Sequence, residues 1–370
     1  MFTDIVILAG GIGERLWPLS TKTHPKQFIV MGGGLSFFQM ALERSLLFQH
    51  TQRIHVVTRS EFEGLVLEQC LALRERLPGA DAERLDSSLT ILLEPCPRHT
   101  AAAVQLALAW AAHGEGPGER TVLVLTSDHI ISTGAQFASS CQKAARSAAG
   151  GYFVCFGIPP SFPATGFGYI EAGDPAPDEE GVYEIRSFKE KPDEATAQAF
   201  LQRGGYWWNS GMFAFREDLY RREIARSAPG IPSVFAALEK TSPKITRNRG
   251  VNVLRDWEGL GDVYARTEPV SIDSAVAEKT DRARCVIAEF AWDDIGSWDA
   301  FAACAPPSQD HAVFVESSGC SVYSDIPVAL CGVSGIIVAI KDGKALIVRK
   351  GRSGLVREAV RESRLRGDES

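Results

Sequence analysis

The sequence predicts an α/β fold: a mostly parallel sheet with helices on both faces, followed by a small all-β unit. Three observations predict it. Short apolar runs alternate with helix-period segments through the first 150 residues. The middle of the chain turns to strands and polar loops. Beyond about residue 310, short strands recur with frequent glycine.

In chain order, Asp4–Leu8 reads as a strand that ends in Ala9-Gly10-Gly11. Ser36–Phe48 has helical apolar spacing, with Ser36 and Gln39 as a capping box. Ile54–Thr58 is a strand, and Ser60–Leu73 a helix with Ser60 and Glu63 in the same capping pattern. Leu89–Leu93 (strand), His99–Ala112 (helix), Thr121–Leu125 (strand) and Gln136–Ala149 (helix) continue the alternation. Tyr152–Gly157, Tyr169–Glu171, Val182–Lys191 and Gly211–Phe215 read as strands, broken by the polar loop 173–181. This stretch extends the sheet into a mixed one and supplies a second wall for a ligand. Helices return over Asp218–Lys240, and Arg247–Trp257 has no clear period. His311–Val315, Cys320–Tyr323, Val328–Leu330, Ile336–Ile340 and Ala345–Arg349 suit a few rungs of a β-helix. The charged tail from Val356 suits a helix.

The chain has 370 residues, 45% hydrophobic and 23% charged. That balance excludes disorder, collagen and coiled coil, and the length suggests about two domains. With 39 Lys+Arg against 46 Asp+Glu, the net charge is −7. Such a surface is a poor general ligand for nucleic acid or an anionic membrane. An anionic substrate must therefore meet a local cluster of cations. No apolar run reaches the roughly 18–20 residues of a membrane span, and the N-terminus lacks a basic signal-peptide region. The eight cysteines are scattered without a Cys-x-x-Cys pair, which suits reduced thiols in the cytoplasm and no zinc site.

Six motifs carry chemistry. Leu8-Ala-Gly-Gly-Ile-Gly-Glu-Arg-Leu-Trp-Pro-Leu-Ser20 follows a strand with Gly10, Gly11 and Gly13, which let backbone N–H groups approach a phosphate. Arg15 and then Lys26, after Pro25, add fixed cations. Leu16 stands where a dinucleotide fingerprint needs glycine, and the Gly-Lys-Ser/Thr of a Walker loop is absent. Thr126-Ser-Asp-His129 follows another strand, and Glu94-Pro-Cys-Pro-Arg98 a third, so the three loops belong at one sheet edge. Asp128 beside phosphate-binding glycines suits Mg²⁺, although a helix N-cap explains a lone acid equally well. Phe188-Lys-Glu-Lys-Pro192, read as strand, puts Lys189 and Lys191 on one face and Glu190 on the other. Lys191 is then a candidate for a second phosphate and Glu190 for sugar hydroxyls. Trp207-Trp-Asn-Ser-Gly-Met-Phe213 offers aromatic faces and the Asn209 amide to a pyranose, and Thr165-Gly-Phe-Gly-Tyr-Ile170 offers backbone at Gly168. Asp273, in Ser271-Ile-Asp-Ser-Ala-Val-Ala-Glu-Lys279, is a cap or a second carboxylate for the metal. Trp292-Asp-Asp-Ile-Gly-Ser-Trp298 reads as a structural turn into a helix.

In the same order along nearly the whole chain, these segments resemble bacterial mannose-1-phosphate guanylyltransferases, the GDP-mannose pyrophosphorylases. The likeness rests on Gly10–Ser20, Pro25–Phe28, Phe188–Pro192, Trp208–Phe213, Ser271–Asp273, Ala275-Val276, Glu278-Lys279 and Trp292–Trp298. It implies a Rossmann-like nucleotidyltransferase domain over 1–305, a small left-handed β-helix over 306–355 and a charged tail over 356–370. It also implies GMP transfer from GTP to mannose 1-phosphate with Mg²⁺, giving GDP-mannose and pyrophosphate. Some members carry a phosphomannose isomerase domain; the length here leads us to expect none.

By that likeness Arg15 and Lys26 hold the β- and γ-phosphates, and Asp128 and Asp273 bind the metal. Leu8, Ala9, Gly10, Gly11, Gly13, Glu94, Arg98, Thr100 and Ser127 surround the nucleotide. Lys191 holds the sugar's phosphate; Glu190, Asn209 and Gly168 meet the sugar. His99 stands where Asn is common, Thr126 where Pro is, Ser274 where Tyr is and Ala277 where Met is. Two other readings fit the motifs. One is a nucleotidyltransferase for another hexose 1-phosphate or nucleotide. The other is a non-catalytic regulatory relative that binds nucleotide sugar, which would be expected to lose Arg15, Lys26 or an acid. The β unit and tail are candidate contact surfaces for a homodimer.

Overall fold

The computed structural model describes residues 1–113, 118–177, 179–307 and 312–365. Asp178 of the polar loop, His311 at the start of an expected strand, and the tail beyond 365 lie outside them.

Strand β1 (Asp4–Leu8) runs near the middle of an eleven-stranded sheet. It is followed by α1 (Phe37–Ser45), β2 (Arg53–Arg59), α2 (Glu63–Arg74), α3 (Gly79–Ser88), β3 (Leu89–Glu94), α4 (His99–Ala112), β4 (Thr121–Thr126), β5 (Ile130–Ile131) and α5 (Ala135–Ala149). Then come β6 (Phe153–Ile158), β7 (Tyr169–Pro175), β8 (Val182–Lys189), α6 (Glu194–Arg203), β9 (Tyr206–Arg216), α7 (Glu217–Ser227), α8 (Gly230–Phe235), β10 (Pro243–Asn248), β11 (Val251–Trp257), α9 (Leu260–Arg266) and β12 (Ala283–Ile287). The last group is β13 (Trp292–Asp293), α10 (Trp298–Cys304), β14 (Ala312–Val315), β15 (Ser321–Ser324), β16 (Val328–Cys331), β17 (Ile336–Lys341), β18 (Lys344–Arg349) and α11 (Val356–Leu365).

The sheet order is β10-β11-β3-β2-β1-β4-β9-β6-β12-β8-β7. Strands β11, β3, β2, β1 and β4 are parallel neighbours, whereas β9 runs antiparallel to both β4 and β6. The sheet is thus mixed, as expected. Connections leave β1 in opposite directions, which opens a crevice at the carboxyl ends of β1 and β4. Register sets that edge: Leu8 is level with Val57 and Thr126, and Arg59 with Glu94.

Local chemistry explains most elements. Before α1, the Gln39 N–H donates to Ser36 Oγ at 3.1 Å and the Ser36 N–H to Gln39 Oε1 at 3.0 Å, a closed capping box. The second expected box does not form. Ser60 Oγ donates to the Glu94 carbonyl at 3.1 Å, and a 3₁₀ turn over Ser60–Phe62 precedes α2. Helix α4 is apolar on nearly every side because it is enclosed; its alanines share a core with Val6, Val57, Leu92 and Val124. The unassigned stretch becomes the hairpin β10–β11, turned through Arg249 (φ +49°) and Gly250 (φ +90°). Exposure along β10 erases its alternation.

Contacts divide the chain into two compact units. The first comprises 1–10, 41–127 and 131–292, and contains the whole large sheet. The second comprises 11–40, 128–130 and 293–370. In the second, β14 pairs in parallel with β16 and β15 with β17, each 16 residues on (Ala312 with Val328, Ser321 with Ile337). A hairpin joins β17 to β18 through Asp342 and Gly343, both at positive φ. Its core contains Leu16, Ile29, Phe37, Trp298, Phe301, Tyr323, Ile337 and Val348. All eight cysteines are free thiols. Among the described residues no helix is long and apolar enough to cross a membrane.

Candidate active site

Both compact units hold clusters of candidate site residues. In the first unit, one cluster lies at the sheet edge. Ser127 Oγ donates to the Leu8 carbonyl at 2.7 Å, and Thr58 Oγ1 to the Ala9 carbonyl at 2.9 Å. These bonds fix the chain as it leaves β1 for Gly10. A Cβ on Gly10 would meet Glu94 Oε2 at 3.1 Å, so a glycine there keeps backbone and buried carboxyl close. Burial pushes Glu94 up to about 7, against a hydrogen bond from the Tyr264 hydroxyl at 3.2 Å and the charge of Arg59.

The next loop is held by backbone contacts. Arg98 donates from Nε to the Tyr264 carbonyl at 2.6 Å and from Nη2 to that of Ala265 at 3.2 Å. Thr100 Oγ1 accepts the Ile272 N–H at 2.9 Å, tying the start of α4 to the turn that carries Asp273. His99 has φ +61°, in the left-handed region. Asn and His both tolerate that region better than most side chains, which accounts for a histidine where asparagine is common.

A second cluster in this unit gathers Gly168, Glu190, Lys191, Asn209 and Asp273. Asn209 Nδ2 donates to Asp273 Oδ1 at 2.6 Å, and the Asn209 N–H to the Gly168 carbonyl at 2.8 Å. A Cβ on Gly168 would meet Glu190 Oε2 at 2.6 Å. Lys191 Nζ donates to Glu190 Oε1 at 2.5 Å, and the Glu190 N–H to Glu278 Oε1 at 3.2 Å. Burial first, and then repulsion from Glu190, push the Asp273 carboxyl up to about 6, despite Lys191 and Asn209. Trp208, buried, packs edge-on against Phe162 and Phe167 with ring centroids 4.8 and 5.1 Å away. Trp207 is the more accessible of the pair.

The placement of Lys191 corrects the strand reading. Strand β8 ends at Lys189, and Lys191 has φ +43°. Face alternation therefore does not extend to it. The turn instead folds Lys191 back onto the neighbouring Glu190.

In the second unit, the glycine loop passes through Gly13 (φ +67°) into a 3₁₀ turn over Glu14–Leu16. A Cβ on Gly13 would lie 2.4 Å from Lys26 Cβ. Two conditions thus demand glycine, the left-handed backbone and the close lysine. The loop is stapled by Ser20 Oγ donating to the Gly13 carbonyl (2.7 Å), the Lys26 N–H to that of Ile12 (3.0 Å) and Gln27 Nε2 to that of Gly11 (2.9 Å). Arg15 is exposed and makes no hydrogen bond or ion pair among the described residues. Lys26 is 5% exposed; its Nζ donates to Asp128 Oδ2 at 3.1 Å and to the Asp294 carbonyl, and sits 5.5 Å from the Phe37 ring centre. Burial opposes ionisation of Asp128, but Lys26 and His129 outweigh it and hold the carboxyl below its usual range.

Within the first unit the structure brings together the residues expected at the sugar, and within the second it pairs Lys26 with Asp128. Three residues escaped the sequence reading. Asp294 supplies the carbonyl that anchors Lys26, Tyr264 binds Glu94, and Glu278 anchors Glu190. Asp294 and Glu278 lie in motifs already singled out, so their segments carried a signal; Tyr264 carried none. Among the described residues, no group of three or more His, Cys, Asp or Glu side chains is placed to hold a metal alone. The carboxylates suit a hard cation that completes its shell with substrate oxygens.

The chain also resembles known proteins over most of its length. A model of the nucleotidyl transferase family matches residues 4–310. The alginate biosynthesis protein AlgA of Pseudomonas aeruginosa is 36% identical over 365 residues, 96% of this chain and 71% of that protein. A mannose-1-phosphate guanylyltransferase of Klebsiella pneumoniae is 34% identical over 364 residues, 96% of this chain and 72% of its own. A crystal structure described as mannose-1-phosphate geranyltransferase from Thermus thermophilus superposes with a TM-score of 0.78 and 32% identity, over 98% of this chain and 99% of that one. The chain belongs to the nucleotidyl transferase family, with the mannose-1-phosphate guanylyltransferases as its relatives.

Proposed function

We propose that this protein transfers GMP from GTP to mannose 1-phosphate, giving GDP-mannose and pyrophosphate in the cytoplasm. The observation that carries the reading is the likeness to a mannose-1-phosphate guanylyltransferase over 96% of the chain. A phosphate oxygen of the sugar attacks the α-phosphorus in line. The new O–P bond forms as the bond to the β-phosphate bridging oxygen breaks, and pyrophosphate leaves with that electron pair. The attacking oxygen is already ionised, so no side-chain nucleophile is needed. Positioning and preorganised charge supply the acceleration.

In this reading Arg15 and Lys26 take the β- and γ-phosphates, and the backbone of Leu8, Ala9, Gly10, Gly11 and Gly13 approaches the nucleotide. Glu94, Arg98, Thr100 and Ser127 shape the base side, mostly through the backbone bonds described above. Lys191 leaves Glu190 to meet the sugar's phosphate, which frees Glu190, with Asn209 and Gly168, for the hydroxyls. Asp128 and Asp273 are the candidate carboxylate ligands for a divalent cation. The Asp273 carboxyl, raised first by burial and then by the charge of Glu190, would be relieved by a cation bound there, which supports the reading. When bound, Mg²⁺ supplies Lewis-acid charge to the reacting phosphates.

We assign the transfer chemistry to 1–305, rungs of a left-handed β-helix to 306–355 and a tail to 356–370. A homodimer through the β unit is supported by the exposed Val313, Phe314 and Val315 on β14; light scattering tests it, and a monomer refutes it. The activity is tested by pyrophosphate release from GTP with mannose 1-phosphate and Mg²⁺. ATP, UTP and glucose 1-phosphate serve as controls. Faster release with glucose 1-phosphate would overturn the sugar assignment.

A further inference from the structure

The turn that carries Arg15 rests on α11, the last helix among the described residues. Leu16 is fully buried and shares one apolar cluster with Val356 and Val360 of α11. Those two valines are four residues apart and so lie on one helix face. Helix α11 touches the Glu14–Leu16 turn directly. Its Arg357, Glu358 and Arg361 line, with Glu14, a cavity of about 720 Å³. The start of α11 is itself anchored. Asp299 accepts the Gly351 N–H at 2.8 Å and the Ser353 hydroxyl. On the other side of the turn, the Trp298 indole N–H donates to the Trp17 carbonyl at 2.9 Å.

Arg15 has no partner among the described residues to aim its guanidinium. Its direction is set by the backbone of its own turn, which is held by hydrogen bonds from Ser20 and Trp298 and, beneath, by the buried Leu16 side chain. We propose that Val356 and Val360 are positioning residues for Arg15, acting through Leu16. They touch no substrate. Their effect is to keep a solvent-exposed cation where the nucleotide's phosphates need it, at no cost in a direct hydrogen bond. The proposal rests on the reading that Arg15 binds those phosphates.

The test is a double-mutant cycle in the full chain with Val360→Ala, Arg15→Ala and the pair, repeated with Val356→Ala. Each valine-to-alanine change should lower kcat/KM for GTP roughly 10-fold when Arg15 is present. When Arg15 is alanine it should lower it less than about 2-fold, a coupling in the range measured for neighbouring residues. KM for mannose 1-phosphate should stay within about 2-fold in every variant, which a general loss of structure would not permit. Equal losses in both Arg15 backgrounds, or no loss from either valine change, would overturn the positioning role. Near wild-type turnover by Arg15→Ala alone would overturn the nucleotide role itself, and the positioning role with it.

Discussion

Replacing Gly168 by alanine separates stability from catalysis. The added Cβ would lie 2.6 Å from Glu190 Oε2 and 3.0 Å from the Phe188 ring edge. Ordinary contact begins near 3.4 Å, so the carboxylate must retreat by 3.4 − 2.6, or 0.8 Å. The atoms that move are side-chain ends, so the fold absorbs the change at about 1 kcal/mol or less. The function is less tolerant, because misplacement by about 1 Å near reacting groups costs on the order of 10²-fold. We expect kcat/KM for mannose 1-phosphate to fall roughly 10- to 100-fold, about 1.4–2.7 kcal/mol of transition-state stabilisation. KM for GTP and the thermal midpoint should barely move. Steady-state kinetics with each substrate varied in turn, beside a thermal melt, decide it. Unaltered sugar-phosphate kinetics, or an equal loss in GTP binding, would refute the reasoning.

Three further predictions concern charge. Arg15→Ala should lower kcat by at least about 10²-fold, the usual effect of losing one preorganised donor; stopped-flow or steady-state pyrophosphate release measures it. Asp128→Asn should shift the Mg²⁺ activation curve to higher concentration and reduce the plateau, and an unchanged titration would remove Asp128 as a ligand. Glu94, raised from 4.5 to about 7 by burial, binds a proton in the folded state that the unfolded chain has lost. Stability should therefore fall as pH rises from about 4.5 through 7, by up to about 3 kcal/mol. Glu94→Gln should remove that slope in urea melts at pH 5 and 8, and equal slopes in both proteins would contradict it.

Much of the fold could be read directly. Asp4–Leu8, Leu89–Glu94 and Thr121–Thr126 announce themselves because they are apolar runs bounded by loop residues. Helix α3 was missed because Leu85 is its only buried residue, so no period is visible. Hairpin β10–β11 was missed because β10 faces solvent and β11 buries adjacent residues, Val253 and Leu254, so neither strand alternates. The site was legible as a set of residue types but not as a set of bonds. Lys26 and Asp128 are 102 positions apart, and nothing local says that they form an ion pair. Arg98, Thr100 and Ser127 were expected near the nucleotide, yet their side chains are spent on backbone carbonyls and an N–H. Period-2 reasoning also stops where the backbone turns left-handed, which is how Lys191 came to be set on a strand it does not join.

Leu16 shares its apolar cluster both with near neighbours in sequence, Ile29, Met31 and Phe37, and with residues from Ile295 to Val360, which lie 279 to 344 positions further on. Contacts of such long sequence separation form late and slowly. Until that distant set has docked, the turn bearing Arg15 is held by its local hydrogen bonds alone, from Ser20, Lys26 and Gln27.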